Sequence, residues 1–453
     1  MVGAGLVKER LGVVDRAADI ASLAAFRIVF GLSMAFSVGR FFAHGWIPEY
    51  YFVPKHFFHY YGFEWVRPWP GFLMYAHYAI MGMAALAVAV GVAYRASAIV
   101  FFLFFTYAHL IDKTNYLNHY YLVSCLALLM IFLPLDRAAS VRTWRRPDDS
   151  WDRVPAWMLS LVRFQVGVVY VFGGIAKLKS DWLVHAEPLT IWLGANQEFP
   201  IIGPWFRYKE FALGFSWAGA AFDLTVVPFL LWRRSRPFAY TAAVAFHVIT
   251  ARLFQLGMFP WIMMGSALIF FDASWPRRAL ERLGILRPSA GEPATLPVLP
   301  PWGRALTGIY VAWHVLVPLR HWLYPGNVLW TEQGYRFAWN VMLMEKNGAV
   351  DVTVVDPASG RKWTVYPTDY LTRYQSKMMS TQPDMILEFS HVVADDFARR
   401  GHPGVEVHVE ALVAMNGRPA RPLVDTRVDL AKEKEGFGAK RWILPFDETP
   451  PEM

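Results

Sequence analysis

The chain has a single cysteine, Cys125, in 453 residues. One thiol inside an apolar run excludes an intrachain disulfide, a CxxC redox pair and a cysteine-based zinc site. Charge is scarce too: Asp, Glu, Lys and Arg make up 18% of the residues against 55% hydrophobic ones, and the mean hydropathy is +0.27. Soluble domains carry about 25% charged residues, so this composition points to a membrane protein. There is no phosphate-binding glycine loop, GxSxG elbow or nucleic-acid module, no internal repeat and no low-complexity tract. The amino-terminal stretch MVGAGLVKERLGVVDRAADIAS lacks a signal-peptide core and cleavage site. The first membrane helix is therefore expected to stay attached and to direct targeting.

Aromatic residues, by contrast, reach 16%, with 20 Trp and 20 Tyr, as expected where amphipathic rings anchor helices at the headgroup level or line an apolar pocket. The net charge of +8 comes from arginines gathered in short loops, not along one amphipathic face, which fits orientation in a membrane better than nucleic-acid binding. Apolar runs lie at about 20–38, 72–93, 97–111, 119–135, 157–176, 211–232, 237–251, 257–271 and 305–323. Runs bearing Arg163, Asp223 or His247 should turn those groups inward, where they can find partners. With the amino terminus cytoplasmic, the arginine-rich loops around Arg95, Arg137–Arg146, Arg233–Arg236 and Arg277–Arg282 all fall on the inner side. The expected fold is an all-α polytopic membrane bundle of about nine transmembrane helices followed by a small extracytoplasmic β-rich domain. Its divisions are a transmembrane domain over 1–282, a Pro- and Gly-rich cytoplasmic linker over 283–304, a last helix over 305–329 and the β-rich domain over 330–453. Alternating runs at Val350–Val355, Lys362–Tyr366 and Val405–Val413, separated by turn signals, predict the strands.

Three polar constellations converge on the outer half of this bundle. IDKTNYLNHYYL (111–122) brings Asp112, Lys113, Tyr116, Asn118 and His119 to the mouth, where Asp112 or Asn115 could simply cap a helix. VVYVFGGIAKLKSDW (168–182) ends a glycine-loosened helix at Lys177. That lysine either snorkels to the interface or stands desolvated as a neutral amine able to act as a base. AFHVITARLFQLGMFPW (245–261) places His247 in a span, as hydrogen bonder or catalyst, with Arg252 near its outer end. His56, His59, His314 and His321 have no carboxylate or third histidine at ligand spacing, so no metal site is expected.

The segments IDKTNYLNHYYL, GIAKLKSDW, FHVITARLFQLGMF with SWPRR, and GYRFAWNVMLMEK resemble, in order and spacing, those of vitamin K-dependent γ-glutamyl carboxylases and their microbial relatives, which share the HTTM domain. The resemblance implies a membrane oxygenase that epoxidises vitamin K hydroquinone with O2, with or without coupled γ-carboxylation of glutamate by CO2, and without a metal. It implies catalytic roles for Lys177 as the base, His119 and His247, and quinone or substrate contacts for Asn118, Tyr116, Asp112, Arg252 and Tyr366. The implied partners are an isoprenoid quinone, membrane lipid and a Glu-containing peptide, with no nucleic acid. The implied place is the cytoplasmic (inner) membrane. Animal members carry further histidines where Met344, Glu345 and Lys346 stand, and a longer carboxy-terminal region. Quinone chemistry is therefore the firmer expectation and peptide carboxylation the weaker. The competing reading is a quinone- or lipid-binding membrane module that serves a redox partner.

Overall fold

The structure, a computed structural model, describes residues 16–284 and 299–451. Among them nine helices form the first layer: α1 Ala21–Ala43, α2 Phe72–Val90, α3 Tyr94–Leu110, α4 Asn118–Phe132, α5 Ala156–Ala176, α6 Lys209–Leu231, α7 Arg236–Leu253, α8 Phe259–Ala267 and α9 Pro301–Leu319. Punctuation in the sequence sets several of their ends. Gly91 closes α2 with φ at 73°, where an L side chain would be strained. Pro237 and Pro260 stand in the first turns of α7 and α8, where a missing N–H costs nothing.

Each apolar run read from the sequence coincides with one of these helices, but the expectation of nine spans is not met by length and composition. Only α1, α2, α5 and α6 are long and apolar enough to cross a membrane. The 15 residues of α4 reach roughly 22 Å at 1.5 Å per residue, short of a hydrocarbon core of about 30 Å. Helix α7 carries arginine at both ends. The expected linker lies mostly outside the described residues, at 285–298, and the last helix starts at Pro301, inside the stretch assigned to the linker.

Contacts run α1 to α2, α2 to α3, α3 to α4, α5 to α6, α6 to α7 and α7 to α8, with α8 returning to α1. Of the four long helices α5 is the most enclosed. Two glycines allow the closest approaches. A Cβ on Gly31 would stand 2.6 Å from the backbone N of Ala89, and one on Gly174 would stand 2.8 Å from Cγ of Leu224. Small residues at such crossings replace hydrophobic driving force with close van der Waals packing. The arginines within apolar runs find partners inside the bundle. Arg163 donates to the carbonyls of Ile269 and Phe271, both at 2.8 Å, and Arg27 donates to Val88 at 2.8 Å and Leu135 at 3.1 Å.

The carboxy-terminal region is built on an antiparallel sheet of β1 Lys346–Val355, β2 Lys362–Val365, β3 Glu406–Met415 and β4 Arg421–Pro422, in the order β2-β1-β3-β4. Along β3 the residues Val407, Val409, Ala411, Val413 and Met415 are buried, the period-2 alternation of a half-buried strand. The region is not β-rich alone. Two helices, α10 Arg373–Met379 and α11 Pro383–Arg399, join the sheet, and α11 buries Met385, Ile386, Phe389, Val393 and Phe397 at the i, i+4 spacing of an amphipathic helix.

This region sits on the end of the bundle where α3 meets α4. Lys113 bonds Glu388 at 2.9 Å and Asp384 at 3.3 Å, and Arg336 reaches Asp384 at 2.7 Å. Gln375 donates to Asp112 and to the His56 carbonyl, both at 2.8 Å.

Candidate functional site

Lys177 closes α5 one residue past its last turn, with its amine turned into the bundle instead of out to the interface, and it is only 5% exposed. It does not stand alone. Nζ donates to Oδ2 of Asp223 on α6 at 2.7 Å and to the Gly173 carbonyl at 3.3 Å, and lies 5.2 Å from the centre of the Trp182 ring. The absence of a Cβ on Gly174 is what brings α6, and Asp223 with it, so near to α5. The desolvated lysine of the sequence reading therefore has a buried carboxylate partner, whose side chain lies 46 residues along the chain.

His247 comes from α7 into the same apolar chamber, lined also by Val169, Phe246, Phe254 and Met263. Its Nε2 shares a hydrogen bond with the Tyr170 hydroxyl at 2.9 Å, and its buried Nδ1 has no partner among the described residues. An imidazole fixed at one nitrogen and open at the other has a set orientation and a free donor or acceptor.

On the far side of Phe259 lies a second, more polar cavity of about 410 Å³, lined by Asn118, His119, Tyr116, Tyr335, Asn340 and Arg336 among others. Phe259 is the common wall: its ring centre lies 5.8 Å from that of His247 and 6.0 Å from that of His119. Leu256, Val341 and Met342 also line both spaces. The ring nitrogens of His119 have no hydrogen-bond partner among the described residues. Asn118 donates to the Asn340 carbonyl at 2.9 Å and accepts from the Tyr116 hydroxyl at 3.0 Å. That hydroxyl in turn accepts from the Phe337 amide at 2.7 Å. The loop so held is contorted, with Phe337, Trp339 and Met342 at φ of 62°, 58° and 55°. Each is a left-handed conformation that costs a non-glycine residue of the order of 1–3 kcal/mol.

The residues named from sequence thus fall into three groups. Lys177 and His247 share the apolar chamber, while Asn118, Tyr116 and His119 line the polar cavity. Asp112 is buried in the wall of a neighbouring aromatic pocket and caps the turn Lys113–Asn115, accepting from the Thr114 amide at 2.9 Å. Burial pushes its carboxyl up, against the hydrogen bonds from Thr114 and Gln375. Arg252 and Tyr366 reach neither cavity. Arg252 is exposed on the last turn of α7, and Tyr366 is 63% exposed where β2 ends. Of the tyrosines in the carboxy-terminal region, Tyr335 lines the polar cavity, and its hydroxyl donates to the Asn340 carbonyl at 3.3 Å.

Sequence reading also missed the cluster beneath the cavity. His56 and His59 approach Glu388 at 3.6 and 3.1 Å, a carboxylate more than three hundred residues away in sequence that spacing could not reveal, and Lys113 holds the other oxygen of that group. Burial raises Asp384 and Glu388. The charges of Arg336 and Lys113 outweigh it for Asp384, as do the hydrogen bonds of His56 and His59 with the charge of Lys113 for Glu388, and both acids lie well below the usual carboxylate range. Of the cations lining the cavity, Arg40 has no carboxylate partner among the described residues and rests on the Trp46 ring at 5.1 Å.

Two family models match the chain. The HTTM domain model covers residues 15–275 and the model of the vitamin K-dependent gamma-carboxylase lumenal domain covers residues 300–449. No solved structure matches it.

Proposed function

The chain belongs to the vitamin K-dependent γ-carboxylase family, and from that premise we propose that it is a membrane oxygenase converting vitamin K hydroquinone to its epoxide, with γ-carboxylation of glutamate as the reaction coupled to it. The observation that carries this reading is the buried Lys177 amine, in an apolar chamber that it shares with the open Nδ1 of His247. Overall, one O2 is consumed, one oxygen atom entering the epoxide and the other leaving as water.

The residues fit such a ligand. The adjoining cavity of about 410 Å³ lies within the roughly 300–1,000 Å³ of small-molecule sites. Its junction with the apolar chamber offers Phe259 and Met342 to an aromatic ring system. When bound, the hydroquinone supplies the reducing equivalents that activate dioxygen and, in the coupled reaction, the base strength that a glutamyl γ-proton demands. Lys177 takes the hydroxyl proton, a task for which a base must lie within hydrogen-bond reach of its target. His247, pinned by Tyr170, presents Nδ1 to a ring oxygen, and His119 meets the ligand from the polar side. The apolar lining of the chamber excludes water that would quench a strong base. Asn118 and Tyr116 hold the contorted loop that carries Tyr335 and Met342. Arg40 suits the carboxylate of an acidic side chain entering from the polar cavity.

The same reading puts the nine helices across the cytoplasmic membrane, short ones shielded by their neighbours, with the amino terminus inside. The carboxy-terminal region then lies outside, over the mouth that holds His119. The arginine asymmetry of the loops supports this orientation. The test is incubation of purified protein in lipid with reduced vitamin K and oxygen, followed by chromatography. Epoxide is expected, and its absence from folded protein refutes the reading.

A further inference from the structure

The Lys177–Asp223 pair joins two side chains that are 5% and 7% exposed, on helices brought together at Gly174. Stability alone is a poor reason for such a pair, because replacing a buried ion pair by packed apolar residues is often neutral or stabilising. The carboxylate serves no other protein group, since among the described residues its only hydrogen bond comes from the Lys177 amine. Both members line the chamber that contains His247. The amine has three donor directions when charged. Gly173 and Asp223 take two, and Trp182 covers it from the side, which leaves one direction open.

We infer that Asp223 is the positioning residue of the base, aiming the Lys177 amine at the chamber and keeping its proton transfer free of charge separation. The inference rests on the reading of Lys177 as base toward the hydroquinone. The resting pair is ammonium and carboxylate. In the reactive form the ammonium has released one proton to solvent, so a neutral amine stands beside the Asp223 carboxylate and the pair carries one negative charge. The substrate O–H bond breaks, an N–H bond to Lys177 forms, and the electron pair stays on the substrate oxygen. The pair becomes neutral as ammonium and carboxylate, and the single negative charge moves to the substrate. The chamber carries minus one before and after. Without the carboxylate the same transfer would create two opposite charges from none in an apolar space, where separated charges are costly.

Asp223→Asn keeps the shape and a hydrogen-bond acceptor but removes the charge. In full-length protein it is expected to lower kcat for epoxide by about 30-fold or more while KM for the hydroquinone stays within about threefold, the pattern of an interaction that matters in the transition state. Asp223→Glu, which keeps the charge but moves the amine, should fall between Asn and wild type in kcat. A second readout needs no turnover. Labelling of Lys177 by an amine-selective acylating reagent, followed by mass spectrometry, should speed up about fivefold or more in Asp223→Asn, because an amine held as an ion pair is a poor nucleophile. Wild-type kcat in Asp223→Asn, or lost activity with unchanged labelling, overturns the inference. If Asp223→Asn does not fold, wild-type kcat in Asp223→Glu overturns it. Wild-type protein that forms no epoxide refutes the function instead, and the labelling contrast still tells whether Asp223 holds the amine.

Discussion

Lys177 follows two glycines at the end of an apolar run, and that much marks it in the sequence as unusual. What it bonds to is not local: Asp223 stands in another apolar run, flagged only as an ionisable group that must face inward. Residues in the wrong solvent were therefore legible, as with His119, His247 and Asn118, because an unpaired polar group in hydrocarbon is expensive. Their partners were not, because pairing is set by helix crossings. Tyr366, which the family resemblance implies as a substrate contact, is exposed and lines neither cavity. Tyr335, which lines the polar one, sits instead in the irregular loop held by Tyr116 and Asn118, whose left-handed residues no periodicity announces. Replacing Tyr335 by Phe removes the bond to the Asn340 carbonyl. It is expected to reduce epoxide formation about tenfold, on the scale of a lost positioning contact, while Tyr366→Phe stays within about twofold of wild type. Equal activity of both variants would contradict the placement of the loop at the site.

Helices were the most readable elements, since long apolar runs dictate them, and the strands followed from alternation between turn signals. The amphipathic helix Pro383–Arg399 escaped notice because the carboxy-terminal region was read for period 2, although Met385, Phe389, Val393 and Phe397 repeat at helical spacing. The crossing of α5 and α6 is the element-scale device on which the site depends. A Cβ at Gly174 would stand 2.9 Å from the backbone N of Leu224 and cannot be relieved by a rotamer change. Gly174→Val should therefore cost about 1–3 kcal/mol through overpacking and lower kcat as Asp223 is pushed from Lys177. The check is the thermal midpoint measured beside the epoxide rate. A variant with wild-type values of both would show that the close approach is not needed.

At the scale of the molecule, two layers meet over the candidate site through Lys113, Arg336, Asp384 and Glu388. Because Asp384 and Glu388 are held below the usual carboxylate range, the stability they contribute is fully present above their unfolded values near 4. It is lost as pH falls from there through their folded values. The thermal midpoint should stay level from pH 8 to about 5 and drop below about 4, with a shallower drop in Glu388→Gln. A level midpoint down to pH 3, or an unchanged slope in the variant, would contradict this. The central claim, that Lys177 drives oxygenation of a bound quinone, is tested most directly by the epoxide rate of Lys177→Ala against wild type, with hydroquinone binding measured on the same samples. The account predicts a loss of about 100-fold or more, the lower end of what a general base supplies, with binding retained. Wild-type epoxide formation by Lys177→Ala would contradict it, and neither protein forming epoxide while both bind quinone would leave a quinone-binding membrane module.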